Sequence, residues 1–142
     1  MAHYRAVVES TRSSDDVFTY LADFHHAAEW DPGVARARAL DGPARLGARF
    51  DVVTLFRGRE MPFTYEITSF DPPRQFVVTA SNGRVKSVDT ITVEEHGEGS
   101  RVTYDAQLIP LGPWILLSPV FSRAFQRIGD AAQQGLRQTL NS

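Results

Sequence analysis

Turn-forming residues recur through the middle of this chain at intervals that leave room for little except short strands. Asp41-Gly42-Pro43, Gly58, Asp71-Pro72-Pro73, Ser81-Asn82-Gly83 and Gly97-Glu98-Gly99 follow one another at spacings of roughly 10 to 15 residues. Glycine supplies the positive φ that tight turns need, and proline cannot continue a helix, so each cluster interrupts whatever precedes it. The segments between them alternate: Phe63, Tyr65 and Ile67 against Thr64, Glu66 and Thr68; Ile91 and Val93 against Thr90, Thr92 and Glu94; Val102, Tyr104, Ala106 and Leu108 against Arg101, Thr103, Asp105 and Gln107. A period of two sends successive side chains to opposite faces, so one sheet face is covered and the other wet. Six antiparallel strands are expected between Val34 and Leu111.

The flanks complete the pattern. Tyr4 to Ser10 alternates with Val7 as its blemish and reads as a first strand, giving seven in all. Ser13 or Ser14 offers an N-cap, Asp15 and Asp16 favour the positive end of the helix dipole, and Val17, Phe18, Leu21 and Phe24 share one helical face. Asp23 is expected to end that helix and cap a second one from His26 to Trp30, which Asp31-Pro32-Gly33 stops. At the other end Ser118 as N-cap and Pro119 at the first helical position open a helix of roughly 22 residues, about 33 Å long. Its apolar stripe is Phe121, Ala124, Phe125, Ile128, Ala131, Ala132, Gly135, Leu136 and Leu140, with Arg123, Arg127, Asp130 and Gln134 turned away. This helix is expected to cover the sheet.

Composition bounds the chemistry. The 142 residues are the size of one domain, 1–142, with 42% hydrophobic residues to form a single core. Lys+Arg 15 against Asp+Glu 17 leaves a formal net charge of -2, no footprint for a nucleic-acid partner. The absence of cysteine excludes disulfides, thiolate metal sites and a cysteine nucleophile. Met1 to Ser10 lacks the pattern of a secretory signal and no apolar run approaches a bilayer span, so a cytoplasmic protein without membrane insertion is expected.

The order strand, two short helices, six strands, long terminal helix is the helix-grip arrangement. Val17-Phe18 with Leu21 and Asp23-Phe24, Trp30-Asp31-Pro32-Gly33-Val34, Gly47 with Phe50, Asp71-Pro72-Pro73 and Gly99-Ser100-Arg101-Val102-Thr103-Tyr104 resemble the polyketide cyclase/dehydrase and lipid-transport family, a branch of the START-like (SRPBCC) superfamily. The resemblance spans nearly the whole chain. It implies an α+β fold in which a curved seven-stranded antiparallel sheet grips the terminal helix, with a cavity between them that holds apolar or amphipathic small molecules in many relatives. It brings no universal catalytic residue with it, because the shared motifs fix turns and packing.

The residues allow such a cavity. Ala124, Ala131, Ala132 and Gly135 on the helix and Ala6 and Ala106 on strands are small; either they leave room for a ligand, or they mark close helix–sheet contact with aromatics filling the rest. The expected lining is Phe63, Tyr65, Ile67, Asp89, Ile91, Tyr104, Ala106, Phe121, Phe125, Ile128 and Ala132. Asp89 shares the face of Ile91 and Val93. A carboxylate there is either paired with an arginine at the wet mouth of the sheet, or serves as a polar anchor and proton donor or acceptor. Tyr65 and Tyr104 either bond each other or a buried water, or present their hydroxyls to a ligand. These three are the candidate catalytic groups.

Three other groups have two readings each. His25, His26 and Glu29 stand at helical spacing, but adjacent imidazoles diverge by about 100° and no further ligand is evident, so they read as solvated and no metal or cofactor is implied. Arg57 and Arg59 flank Gly58 as a solvated pair or as guanidiniums at the cavity entrance for a carboxylate or phosphate. Trp114 to Leu117 either folds over the cavity edge or makes an oligomer contact, while Trp30 packs the short helices onto the sheet. The leading expectation is a monomer or homodimer that binds a small hydrophobic, lipid- or polyketide-like molecule. A polyketide aromatase/cyclase or dehydratase is the alternative, and a protein-interaction module using Trp114 to Leu117 the third.

Overall fold

The computed structural model describes residues 2–142 and, among these, every side chain except that of Phe121. Strand β1 (Ala2–Ser10) leads into helix α1 (Ser14–Ala22), a 3-10 turn (Phe24–His26) and the short helix α2 (Ala27–Trp30). Six strands follow: β2 (Val34–Ala39), β3 (Arg49–Phe56), β4 (Arg59–Asp71), β5 (Gln75–Ser81), β6 (Val85–His96) and β7 (Gly99–Pro110). A 3-10 segment (Gly112–Leu117) then hands over to α3 (Ser118–Leu140). Each expected turn cluster lies between two strands.

All seven strands form one antiparallel sheet in the order β1-β7-β6-β5-β4-β3-β2. β2 to β7 make a meander, and β1 adds to it beyond β7 with Tyr4 opposite Ala106 and Ala6 opposite Tyr104. The helices between β1 and β2 therefore carry the chain from one sheet edge to the other. Register shifts in β2 and β4 interrupt the ladders, and each such irregularity bends its strand and increases its twist. The curled sheet buries Phe50, Ile67, Phe76, Val78, Ile91 and Val102 on its inner face. α1 seals one part of this face: Phe18 meets Phe76 edge-on at 5.6 Å and Phe70 at 5.8 Å.

α3 covers another part, but unevenly. Among its described side chains the buried ones are Leu136 and Leu140, near the C-terminal end. Gly135 makes this possible, because a β-carbon there would overlap the Trp30 carbonyl. Ser10 Oγ donates to the Leu140 carbonyl at 2.7 Å, tying β1 to the same end. Further along, Gly129 lets the helix settle on the Tyr4 ring, whose hydroxyl donates to Asp130 at 2.8 Å.

Three sequence expectations need correction here. Ser13 does cap α1, accepting from the Asp16 amide at 3.2 Å, but Asp23 caps no second helix; its carboxylate accepts from the Ala44 amide at 3.0 Å. The chain beyond Asp23 runs as a 3-10 turn, so the geometry that presents an N-cap side chain to the following amides does not arise. Ser118 is the first residue of α3 and not its cap, since its hydroxyl donates back to the Ile115 carbonyl. Asp130 is exposed, as expected, and its carboxylate accepts from the Tyr4 hydroxyl of β1. His25 and His26 are half-buried, not solvated: His25 stacks on Phe50, and His26 Nδ1 lies 2.7 Å from the Tyr20 carbonyl.

Candidate functional site

Between the inner sheet face and α3 remains a cavity of about 110 Å³. Its size follows from what spans it. One row of facing residues crosses the sheet from Val78 through Asp89 and Ala106 to Tyr4. Asp89 and Ala106 are short, so this row dips between bulkier neighbours, and Phe125, Ile128 and Ala132 of α3 close the space from above. Phe63, Met61 and Leu108 extend the apolar wall, and Trp30 closes one end with its ring edge-on to Tyr104 at 5.5 Å.

Four polar groups of the cavity form two hydrogen-bonded pairs. Tyr104 donates to Asp89 Oδ2 at 2.6 Å. Tyr65 donates to Ser87 Oγ at 2.8 Å, reaching across β5 where the residue between them is only Ala80. Ser87 stands two positions before Asp89 on the same face of β6. Asp89 is only 6% exposed, and burial pushes its carboxyl up to about 7; the Tyr104 hydrogen bond opposes this and the nearby Asp31 charge adds to it. Asp31 also lines the cavity, at the turn after α2, where burial raises its carboxyl to about 6 against the 2.8 Å bond that the Gly33 amide donates to it. Both phenols are raised above the usual tyrosine range, chiefly by burial and then by the charge of Asp89. The cavity thus combines an apolar wall with two carboxyls poised near neutrality, one of them held by a phenol.

A larger hollow of about 780 Å³ adjoins it, with Phe56 and Met61 belonging to both walls. It lies among the β3–β4 turn, the β5–β6 turn and the segment before α3. Arg57, Arg59, Arg84, Trp114 and Leu117 face it.

A family model for polyketide cyclase / dehydrase and lipid transport matches residues 1–141. The chain belongs to that family. No curated protein matches it in sequence. Among solved structures, a START superfamily protein from Mycobacterium smegmatis superposes with a TM-score of 0.80 at 13% identity, covering 99% of this chain and 97% of that one. A protein from Thermus thermophilus gives 0.79 at 16% identity, covering 97% and 96%. The di-domain ARO/CYC StfQ from the steffimycin biosynthetic pathway gives 0.72 at 14% identity, covering 98% of this chain and 50% of that one. At such identities the likeness is one of fold: a curved seven-stranded antiparallel sheet with a long terminal helix, the α+β helix-grip of START proteins. No helix among the described residues is long and apolar enough to cross a membrane.

Within this member of the polyketide cyclase/dehydrase family, the structure brings Phe63, Tyr65, Asp89, Tyr104, Ala106, Phe125, Ile128 and Ala132 to one cavity. Ile67 and Ile91 share the inner face but do not line it. Both are fully buried in the packed core; Ile91 pairs with Phe76, which α1 seals through Phe18. Phe121 lies outside the described side chains. Asp89 is paired with Tyr104 and not with an arginine, and Tyr65 and Tyr104 bond Ser87 and Asp89 instead of each other. Ala131 stands beside the cavity wall, not in it.

Among the polar residues that line the cavity, Ser87, Asp31, Thr54 and Gln133 are not candidates that the sequence singles out, and the first two lie closest to the Asp89 chemistry. Ser87 is recoverable from the sequence, since it stands two positions before Asp89 on the same strand and so on the same face. Asp31 is not. It sits in a turn, where no periodicity assigns a direction, and from sequence it reads only as a helix stop. Glu29 accepts a 2.6 Å bond from Tyr20, and among the described residues no group of three metal-ligating side chains assembles.

Proposed function

We propose that this protein binds a small apolar or aromatic molecule bearing a carbonyl or hydroxyl group, with its carbon body between the sheet and α3 and its oxygen toward Asp89 and Tyr104. The observation that carries this is the cavity of about 110 Å³, whose largely apolar wall holds the hydrogen-bonded Asp89–Tyr104 and Tyr65–Ser87 pairs. An apolar hollow on this scale accommodates roughly one aromatic ring. Burial of ligand carbon at about 25 cal/mol per Å² supplies affinity, and the buried polar groups set orientation. The family and its fold support the same reading.

A second reading, polyketide cyclisation or dehydration, is favoured by one observation: the Asp89 carboxyl lies at about 7, where acid and base forms coexist at neutral pH. Ionised Asp89 takes a proton from carbon next to a ligand carbonyl, and the Tyr104 hydroxyl, released as the carboxylate that held it is protonated, turns to donate to the enolate oxygen that results. The Asp31 carboxyl, about 6, stands near as a further proton acceptor.

Calorimetric titration with butyrophenone tests the binding reading. Saturable binding that disappears in Ala106→Phe supports it, and no binding by the wild-type chain overturns it. Turnover of a poly-β-keto thioester that falls at least tenfold in Asp89→Asn, with butyrophenone affinity retained, selects the enzyme.

A further inference from the structure

We propose that the outer hollow of about 780 Å³ is the seat of an oxyanion, a carboxylate or a phosphate, carried on the end of the ligand whose apolar part occupies the inner cavity. The proposal rests on the inner-cavity reading above and extends it from an apolar guest to an amphipathic acid.

Charge is the first argument. Four charged side chains face the outer hollow: Arg57, Arg59, Arg84 and Glu60. Glu60 is already engaged by Arg36 of β2 through two hydrogen bonds, at 2.7 and 3.1 Å. Among the described residues none of the three arginines has a carboxylate within ion-pairing distance. The chain as a whole is acidic, with a net charge of -2, so three unneutralised guanidiniums around one concavity are a local inversion of the protein's field. Guanidinium groups are the side chains best shaped to take carboxylate or phosphate through paired hydrogen bonds.

Position is the second. The arginines come from two separate turns, β3–β4 and β5–β6, and converge because both turns stand at the same end of the curled sheet. Arg84 is held by Trp114, its guanidinium 5.2 Å from the ring centroid, which limits the freedom it would lose on binding an anion. Arg57 occupies a turn position with φ of 53, a conformation that glycine or asparagine adopts with less strain.

Continuity is the third. Phe56 and Met61 line both hollows, so the wall that the apolar interior shares with the cationic vestibule is apolar, and a ligand chain that displaces these side chains joins the two without crossing polar protein. The two compartments match the two ends of one amphipathic molecule.

The test is calorimetric titration of the full chain with 6-phenylhexanol, 6-phenylhexanoate and 6-phenylhexyl phosphate, which share an apolar body and differ in the terminal group. At least one of the two anions is expected to bind about tenfold more tightly than the alcohol, the return expected for solvent-exposed charge-assisted hydrogen bonds. The stronger anion tells an organic acid from a phosphate ester. In the Arg57→Gln, Arg59→Gln, Arg84→Gln triple variant the anion-to-alcohol ratio is expected to fall to about one, and added salt is expected to narrow it in the wild-type chain. A wild-type ratio near one, or a ratio untouched by the triple substitution, overturns the vestibule while leaving the inner cavity standing. Failure of all three molecules to bind overturns both.

Discussion

The Tyr104 hydroxyl donates to Asp89 at 2.6 Å from the neighbouring strand, where Asp89 faces Ala106 and Tyr104 faces Ile91. This diagonal bond opposes the desolvation that pushes the Asp89 carboxyl up to about 7, because it stabilises the ionised form. Tyr104→Phe is therefore expected to move the Asp89 midpoint further above 7, and Asp31→Asn to lower it by removing a nearby negative charge. Carboxyl-carbon NMR titration of labelled aspartate reads both shifts; opposite signs would show that the hydrogen bond and the neighbouring charge do not control this group.

The same shift makes stability depend on pH. Between the unfolded value of 3.8 and about 7 the folded chain keeps a proton on Asp89 that the unfolded chain releases. Stability from this group is thus greatest at low pH, declines as pH rises through that window and levels off above it. Asp89→Asn leaves an acceptor for Tyr104 but no charge to bury. Urea unfolding at pH 4 and pH 8 is expected to show the variant gaining on the wild-type chain by on the order of a few kcal/mol at the higher pH. An equal difference at both pH values would contradict the burial of an ionisable carboxyl.

Ala106 and Ala131 separate cavity from packing. Ala106→Phe places a ring in the space beside Asp89 and is expected to abolish butyrophenone binding with a stability loss of less than about 1.5 kcal/mol. Ala131→Phe, beside the wall, is expected to leave binding detectable. Thermal unfolding and titration of the two variants make the comparison, and a loss of several kcal/mol in Ala106→Phe would mean that the interior has no spare volume.

Gly135 joins α3 to the turn that carries Asp31. Gly135→Ala forces its new methyl group against the Trp30 carbonyl, backbone that cannot swing aside. The expected cost is about 1 to 3 kcal/mol, although alanine is the better helix former. Denaturant midpoints check it, and a stabilised variant would show that the contact relaxes freely.

Much of the fold is written locally. Turn clusters and two-residue alternation bound β2 to β7, and each depends on a handful of adjacent residues, as does the Ser13 cap. The failures have a common physical origin. Alternation states which face a residue takes but not how far along that face it lies, so it groups Ile67 and Ile91 with Asp89 although α1 closes the sheet above Ile91. Asp23 and Ser118 carry capping side chains, yet the backbone around them does not offer the amides. Asp31 becomes a cavity residue only because Gly135, about a hundred positions later, lets α3 approach Trp30.

The long helix is fastened from its middle to its end, by Gln126 to the His3 carbonyl, Gly129 on the Tyr4 ring, Gly135 against Trp30 and the Ser10 bond to the Leu140 carbonyl, whereas Val120 and Phe125 nearer its start border hollow space. A guest is therefore expected to arrive past these first turns, where few buried contacts stand to be disturbed, and not past the seam with β1 that gives the molecule its rigidity.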